Sequence, residues 1–344
     1  MKILKKEVLS NGRCHIYFCG IKIASYKRRR VINQDGYQNT NYGKIFYPYY
    51  NQDVIPSSKE PDIYDKLGNK MRTFFLRDLH MAADPTCQSK YFIWDKFNVG
   101  LDIHFYSHNA MLETMGNPKH KFGFLIESES IVPDDYNIFD KYPNLYTQFD
   151  YIFTYSSKIL ETIPNARFVP FAAGIWGKLC EPDLYKHKTK LCSFISSNKK
   201  MCPLHEFRFN LAHKCKQENL CDTFGTFDGG PRVEHLSDTY RDYMFCICLE
   251  NDIKKFYFSE RFTTALANQC IPIYLGATEI DKFFNSDGII KITTESDIKQ
   301  ILQMCTPEEY ARRLPAMLDN YERVKKYVNV WDFMYETYLK TMDI

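Results

Sequence analysis

The chain has 344 residues, 44% of them hydrophobic and 25% charged, with a formal net charge of +3. That length exceeds one comfortable core, so two domains are expected, and the composition is that of a globular chain rather than a disordered one. A net charge this small excludes the strongly basic face that nucleic-acid binding demands.

The first element is a basic, apolar stretch. Lys2, Lys5, Lys6 and "YKRRR" (26–30) bracket "CHIYFCGIKIAS" (14–25). Such a rim can hold a protein peripherally to an anionic membrane face, at about 1 kcal/mol per well-placed charge. A solvated surface hairpin reads the same residues more simply. No run approaches the roughly 18 apolar residues of a membrane span, and no signal peptide opens the sequence. The expected location is cytoplasmic, with contact at the inner membrane as the peripheral option. The twelve cysteines contain no C-x-x-C pair. The closest spacing, Cys246 and Cys248 on one apolar run, reads as poor geometry for a shared metal, and reduced, buried thiols are expected.

Residues 34–70 are rich in Asn, Tyr, Asp and Pro and are expected to be mostly loop. "KYFIWD" (90–95), "FGFLIE" (122–127) and "DYIFTY" (150–155) are short apolar runs consistent with parallel strands. "HFYSH" (104–108) sets two histidines four apart but lacks the glutamate of H-E-x-x-H, so a metal site carries little weight there. His104 and His108, with Trp94 and Asp95, are read instead, from their position in the N-terminal domain, as lining a ligand pocket, the acceptor pocket of the resemblance described below.

A Gly-, Pro- and Lys-containing connection marks residues 171–190 as a linker between an N-terminal domain, 1–170, and a C-terminal one, 191–344. Beyond it, "LCSFI" (191–195), "DTFG" (222–225), "YMFCICLE" (243–250), "IPIYLG" (271–276) and "GIIKI" (288–292) read as strands. "HEFRFNLAHKCKQ" (205–217) and "SERFTTALANQ" (259–269) read as helices between them. Strands alternating with helices of this length argue for a parallel sheet covered on both faces. The C-terminal segment reads as helices capped at Thr306.

One stretch concentrates the chemistry. "LENDIKKFYFSERFTTALANQCIPIYLG" (249–276) ends a strand in Glu250-Asn251 and opens a helix with Ser259-Glu260-Arg261. Ligands of open parallel sheets collect beyond the carboxyl ends of the strands. A helix N-terminus offers unpaired N–H groups and partial positive charge, which favour phosphate. Arg261 in the first turn opposes the helix dipole by about 0.3–1 kcal/mol, a conflict that a bound anion removes. On the residues alone, an arginine paired with an acidic neighbour on a solvated face fits about as well.

The stretch resembles the α1,3/1,4-fucosyltransferases, whose signature has a strand ending in Glu-Asn, a short gap, a Tyr-x-x-Glu-Lys helix start and an Ile-Pro-Ile-Tyr strand. Here these fall on Glu250-Asn251, on Tyr257 to Arg261 and on Ile271 to Gly276. "FFNSDGIIKI" (283–292) and "KLCSFISSN" (190–198) resemble the segments that follow and precede it. The resemblance covers about residues 120–295. It implies an α/β fold of the GT-B type, with two Rossmann-like domains facing a central cleft and terminal helices. It implies inverting, metal-independent transfer with no cofactor. The absence of any Asp-x-Asp pair, which metal-dependent sugar transferases use, fits independently.

By the same resemblance the donor site comprises Ser197, Asn198, Glu250, Asn251, Tyr257, Glu260 and Arg261, the last standing where the family has lysine. The family also places an arginine near Pro203, where this chain has Leu204 and His205. Arg208, one helical turn on, is the replacement expected, with His205 its less reliably charged rival. The family's base falls on Glu127 in "FLIESESIVPDDYNIFD" (124–140), and Glu129 matches a second glutamate near the acceptor. The expectation is an enzyme moving L-fucose from GDP-fucose to an oligosaccharide or lipid-linked glycan, GlcNAc-containing and α1,3-linked, in surface-glycan (lipopolysaccharide) synthesis or protein glycosylation. Another GDP-sugar on the same fold is the alternative. A non-catalytic nucleotide- or glycan-binding protein is a second one, which the two glutamates at 127 and 260 oppose.

Overall fold

The computed structural model describes residues 68, 70–78, 89–95, 98–113, 115, 117–170, 172–342 and 344 with their side chains, and the backbone of strands within 4–46. The chain divides into two compact units, Met1–Gln52 with Leu112–Thr114, and Asp53–Met111 with Met115–Ile344. In the first, β1 (Leu4–Val8), β2 (Arg13–Phe18) and β3 (Ile21–Lys27) form an antiparallel sheet. β4 (Tyr37–Thr40) and β5 (Gly43–Phe46) form a hairpin inside the stretch expected to be loop. The side chains of the basic N-terminal rim lie outside the described residues, as do all of residues 47–67.

The second unit carries two parallel sheets. The first comprises β6 (Arg72–Arg77), β7 (Phe92–Asp95), β8 (Ile103–Ser107), β9 (His120–Leu125), β10 (Tyr151–Thr154) and β11 (Ala166–Phe168), in the order β11-β10-β9-β8-β6-β7. Two short helices, α1 (Ile138–Lys141) and α2 (Ser157–Thr162), lie in its connections. Its strands are nearly continuous runs of aromatic residues, as befits a parallel sheet covered on its faces.

The second sheet has the order β13-β12-β14-β15-β16, from β12 (Lys190–Ile195), β13 (Asp222–Phe224), β14 (Tyr243–Leu249), β15 (Ile271–Leu275) and β16 (Ile290–Lys291). Every pairing in it is parallel. Along β14 the faces alternate. Phe245, Ile247 and Leu249 pack with residues of α3 (Pro203–Gln217), α5 (Ile298–Met304) and α6 (Pro307–Val324). Cys246 and Cys248 pack on the other face with Phe262, Ala265 and Leu266 of α4 (Glu260–Ala267). Residues two apart in a strand share a face, so these two cysteines do point the same way. They lie in an apolar core, and all nine described cysteines are free, eight of them buried. Among the described residues no group of three His, Cys, Asp or Glu side chains could hold a metal ion.

Two segments bind elements that their sequence position does not suggest. The 171–190 connection runs along α4: the N–H groups of Gly174 and Trp176 donate to Thr263 Oγ1 and Thr264 Oγ1, and that of Cys180 to the Ala267 carbonyl. The last helix, α7 (Val330–Met334), leaves the second sheet and covers the first. Val330, Trp331 and Met334 share a core with Phe74, Trp94, Phe105 and Phe124. The expected 191–344 domain therefore gives its terminal residues to the other sheet.

Candidate active site

The carboxyl ends of both sheets face the segment that follows β14. Glu250 is fully buried there; its backbone N–H donates to the Leu275 carbonyl and its Oε1 accepts the Ser259 N–H at 2.8 Å. Burial pushes its carboxyl up to about 7, against the opposing pull of Ser259 and Arg261. Gly276 makes this packing feasible, since a Cβ there would collide with the Glu250 and Tyr274 side chains.

Asn251 is half-buried and its Oδ1 is doubly engaged, by His205 Nε2 at 2.9 Å and by Arg208 Nη1 at 3.2 Å. His205 Nδ1 accepts the Met201 N–H, so the proton sits on Nε2 and the tautomer is set from both sides. Burial, then Arg208, hold this imidazole down to about 4. His205 is therefore a neutral spacer and not a rival cation. Arg208 also donates to the Leu249 carbonyl at 2.8 Å, and burial with the nearby Arg261 lowers its guanidinium to about 9.

Ser259 caps α4 through its Oγ, which accepts the Arg261 N–H. The sequence suggests free N–H groups at this terminus, but each of the first ones has a protein partner. The Glu260 N–H donates to the Ala172 carbonyl at 2.7 Å and the Phe262 N–H to the Ser259 carbonyl at 3.1 Å. Positive charge here is delivered by side chains. Arg261 lies beside Glu260, Nη1 to Oε1 3.3 Å. Burial opposes its charge, but the Glu260 and Glu250 carboxylates outweigh that and raise it.

A cavity of ≈ 270 Å³ opens at this place. Ser197, Asn198, Arg208, Glu260 and Arg261, all named from sequence, line it. Glu250, Asn251 and Tyr257 are not in its lining. Tyr257 is buried against Tyr155 of the first sheet, ring centroids 4.9 Å apart. Sequence reasoning missed Trp176, Lys199, Thr226, Arg232 and Val233, which also line it. The "GGPRV" turn (229–233) and the lysine after Ser-Ser-Asn were the available signals. Gly225, at φ 98°, lets the 225–226 turn lie against Ser196, whose carbonyl a Cβ would strike. With four cationic side chains, Lys199, Arg208, Arg232 and Arg261, an apolar wall and convergent polar groups, the cavity suits an anionic, ring-bearing ligand.

The loop after β9 carries Glu127 and Glu129 and meets the segment after β14 at Asp252 and Lys254. Glu127 is half-buried, with Oε1 accepting the Ser128 N–H at 2.7 Å. Glu129 pairs with Lys254 at 3.1 Å, and its N–H donates to the Tyr155 hydroxyl at 2.8 Å. Trp94, His104 and His108 differ from expectation, since none presents its side chain to solvent. Trp94 is 8% exposed, in the core beneath Trp331. His104 is fully buried, bonded to the Tyr106 hydroxyl at 2.8 Å, and burial pushes its imidazole down to about 4. His108 is also fully buried and turned toward the backbone of Glu127.

Two parallel α/β sheets, with a cationic cavity beyond the carboxyl end of the second, have the architecture of the GT-B class. Residues 185–341 match the family model described as Glycosyltransferase family 10 (fucosyltransferase) C-term. Among solved structures, the chain is similar to a crystal structure of an alpha1,3-fucosyltransferase with GDP, at 15% identity and a TM-score of 0.46, over 82% of this chain and 94% of the other. It is similar to TarM at 10% identity and a TM-score of 0.45, over 100% and 80%. It is similar to the spinosyn forosaminyltransferase SpnP at 10% identity and a TM-score of 0.37, over 78% and 91%. At these values the likenesses carry no argument about activity. No curated protein sequence matches the chain. No helix among the described residues is long and apolar enough to cross a membrane.

Proposed function

We propose that the chain transfers L-fucose from GDP-fucose to a hydroxyl of a GlcNAc-containing oligosaccharide or lipid-linked glycan, with inversion and without a metal ion. The observation that carries this is the pair of guanidiniums, Arg208 and Arg261, lining one cavity at the carboxyl end of the sheet that matches family 10. As the acceptor oxygen bonds to the anomeric carbon and the bond to the diphosphate breaks, charge grows on the leaving phosphate. Side-chain cations held in a cavity stabilise that charge without reorganising. The acceptor proton passes to Glu127, the half-buried carboxylate on the loop after β9. Trp176 and Val233 supply apolar surface for the nucleobase.

A thermal-shift panel of GDP, UDP and CMP sugars tests the donor, followed by an acceptor array with the preferred one. GDP-fucose is expected to raise the melting temperature most, with turnover that persists in EDTA. A UDP or CMP preference, or loss of activity in EDTA, overturns the reading. Preference for a different GDP-sugar keeps the site and corrects the donor.

A further inference from the structure

Among the described residues, the Glu127 side chain accepts one hydrogen bond, from the N–H of its neighbour Ser128, so its backbone largely decides where the carboxylate stands. That backbone is held on both sides. Its carbonyl accepts the Tyr136 hydroxyl at 2.6 Å. Its N–H and that of Ile126 both donate to Nε2 of His108, each at 3.2 Å.

His108 directly follows β8 and turns left-handed, φ 50°, a conformation that histidine adopts more readily than most residues. The turn carries its ring across to the end of the neighbouring strand β9. A ring nitrogen can accept N–H groups only when it bears no proton, so the proton belongs to Nδ1. Nδ1 stands 3.1 Å from Oδ2 of Asp135, a carboxylate 5% exposed whose other oxygen accepts from the Asn109 amide. A carboxylate this close to Nδ1 favours the proton there, the tautomer that leaves Nε2 open. Asp135 and Tyr136 sit on one turn, Pro133–Asn137, so Tyr136 holds the Glu127 carbonyl directly and Asp135 acts on its N–H through His108, while the Tyr155 hydroxyl donates to the same carbonyl at 3.2 Å.

We propose that His108 and Asp135 are positioning residues for Glu127: Asp135 sets the His108 tautomer, and His108 fixes the 126–127 backbone from which the carboxylate projects. The inference rests on the reading of Glu127 as the base. A histidine that merely filled the core would be replaceable by any side chain of similar volume. One that acts as an acceptor is replaceable only by another acceptor.

The test compares His108→Ala, His108→Gln, Asp135→Ala and His108→Gln/Asp135→Ala with Glu127→Gln. Each is measured for kcat and KM with GDP-fucose and the acceptor selected on the array, and for hydrogen exchange at the Ile126 and Glu127 amides. His108→Ala is expected to lower kcat about 10- to 100-fold, the scale of a misplaced reacting group, at unchanged KM for GDP-fucose and with faster exchange at both amides. His108→Gln, whose amide oxygen accepts without needing a tautomer, restores protection and most of kcat. Asp135→Ala lowers kcat in the otherwise native chain but costs nothing further in His108→Gln. Wild-type kcat in His108→Ala, or a glutamine variant no better than the alanine one, overturns the positioning role while a crippled Glu127→Gln keeps the base. Wild-type turnover in Glu127→Gln removes the base and the role of His108 together.

Discussion

The Asp252 carboxylate accepts the Ser130 backbone N–H at 3.1 Å, joining the segment after β14 to the loop after β9. Its other oxygen accepts the Ile253 N–H, so a buried side chain ties two loops that carry opposite halves of the proposed chemistry. The Lys254–Glu129 ion pair and the Tyr155–Tyr257 ring contact lie at the same junction. Asp252→Ala should therefore loosen the approach of Glu127 to the donor site. The expected result is a fall of about tenfold or more in kcat with GDP affinity unchanged, read by steady-state kinetics and calorimetry. Equal losses in kcat and GDP affinity would mean that Asp252 serves the donor loop alone.

Glu127→Gln keeps the size and the contact with the Ser128 N–H but cannot take a proton. If Glu127 is the base, kcat falls by about two or more orders of magnitude while GDP binding stays near that of the native protein. Calorimetry with GDP beside a turnover assay separates the two quantities. A variant that turns over normally places the base elsewhere.

Arg261 carries its charge into the cavity although its own helix N-terminus disfavours a cation. Glu260 and Glu250 offset that conflict within the protein, and the proposed diphosphate would offset it further. Arg261→Ala should weaken GDP by about 1.5–3 kcal/mol, the usual contribution of a charged hydrogen bond, whereas Arg261→Lys should recover part of it. Since the α4 N–H groups already have protein partners, most of the loss should come from the side chain. GDP titrations at two salt concentrations check this, and an unchanged alanine variant would remove the diphosphate from this end of the cavity.

Glu250 gives a pH dependence with a definite sign. Burial raises its carboxyl from 4.5 to about 7, so between those values the folded protein holds a proton that the unfolded chain releases. The stability this contributes is complete below about pH 4.5 and is lost as pH rises through about 7. At 1.36 kcal/mol per pH unit the change is roughly 3 kcal/mol. Urea unfolding of the native chain and Glu250→Gln at pH 5 and pH 8 should show the native advantage shrinking by that order. A difference independent of pH would contradict the burial-driven shift.

Much of the second sheet was legible because β14 and β15 are apolar runs with glycine or polar stops, and α4 and α6 carry side-chain caps. Thr306, for example, accepts the Glu309 N–H as its position suggests. The Glu250-to-Arg261 stretch was legible as a site for a different reason: carboxylate, amide and cation at the end of a buried strand conflict with local preference. In the first sheet, β6 went unread, because "RTFFLR" is a short run closed at both ends by arginine. The cavity wall at Arg232 and Lys199 was equally silent, since a charge in a loop says nothing until the fold shows what it faces. Trp94, His104 and His108 were misplaced because an aromatic or imidazole ring reads alike whether it lines a pocket or fills a core.

The packing of α7 on the first sheet leads to a last expectation, one that concerns how the two halves hold together. Trp331 is 4% exposed and meets Trp94 edge to face at 5.2 Å, with Phe124 at 5.9 Å. Asp332 beside it accepts the Ser89 hydroxyl at 2.7 Å and the Lys90 N–H at 2.8 Å. These contacts span more than two hundred positions of sequence, so they form only once both sheets have folded. Trp331→Ala removes a large buried ring and should cost about 3–5 kcal/mol. Because Trp331 packs against the first sheet and lies away from Arg208 and Arg261, the loss should appear as faster hydrogen exchange in β7 to β9 while GDP affinity at low temperature is retained. Exchange that instead rises first in β14 and β15 would mean that α7 stabilises the donor sheet, contrary to its packing.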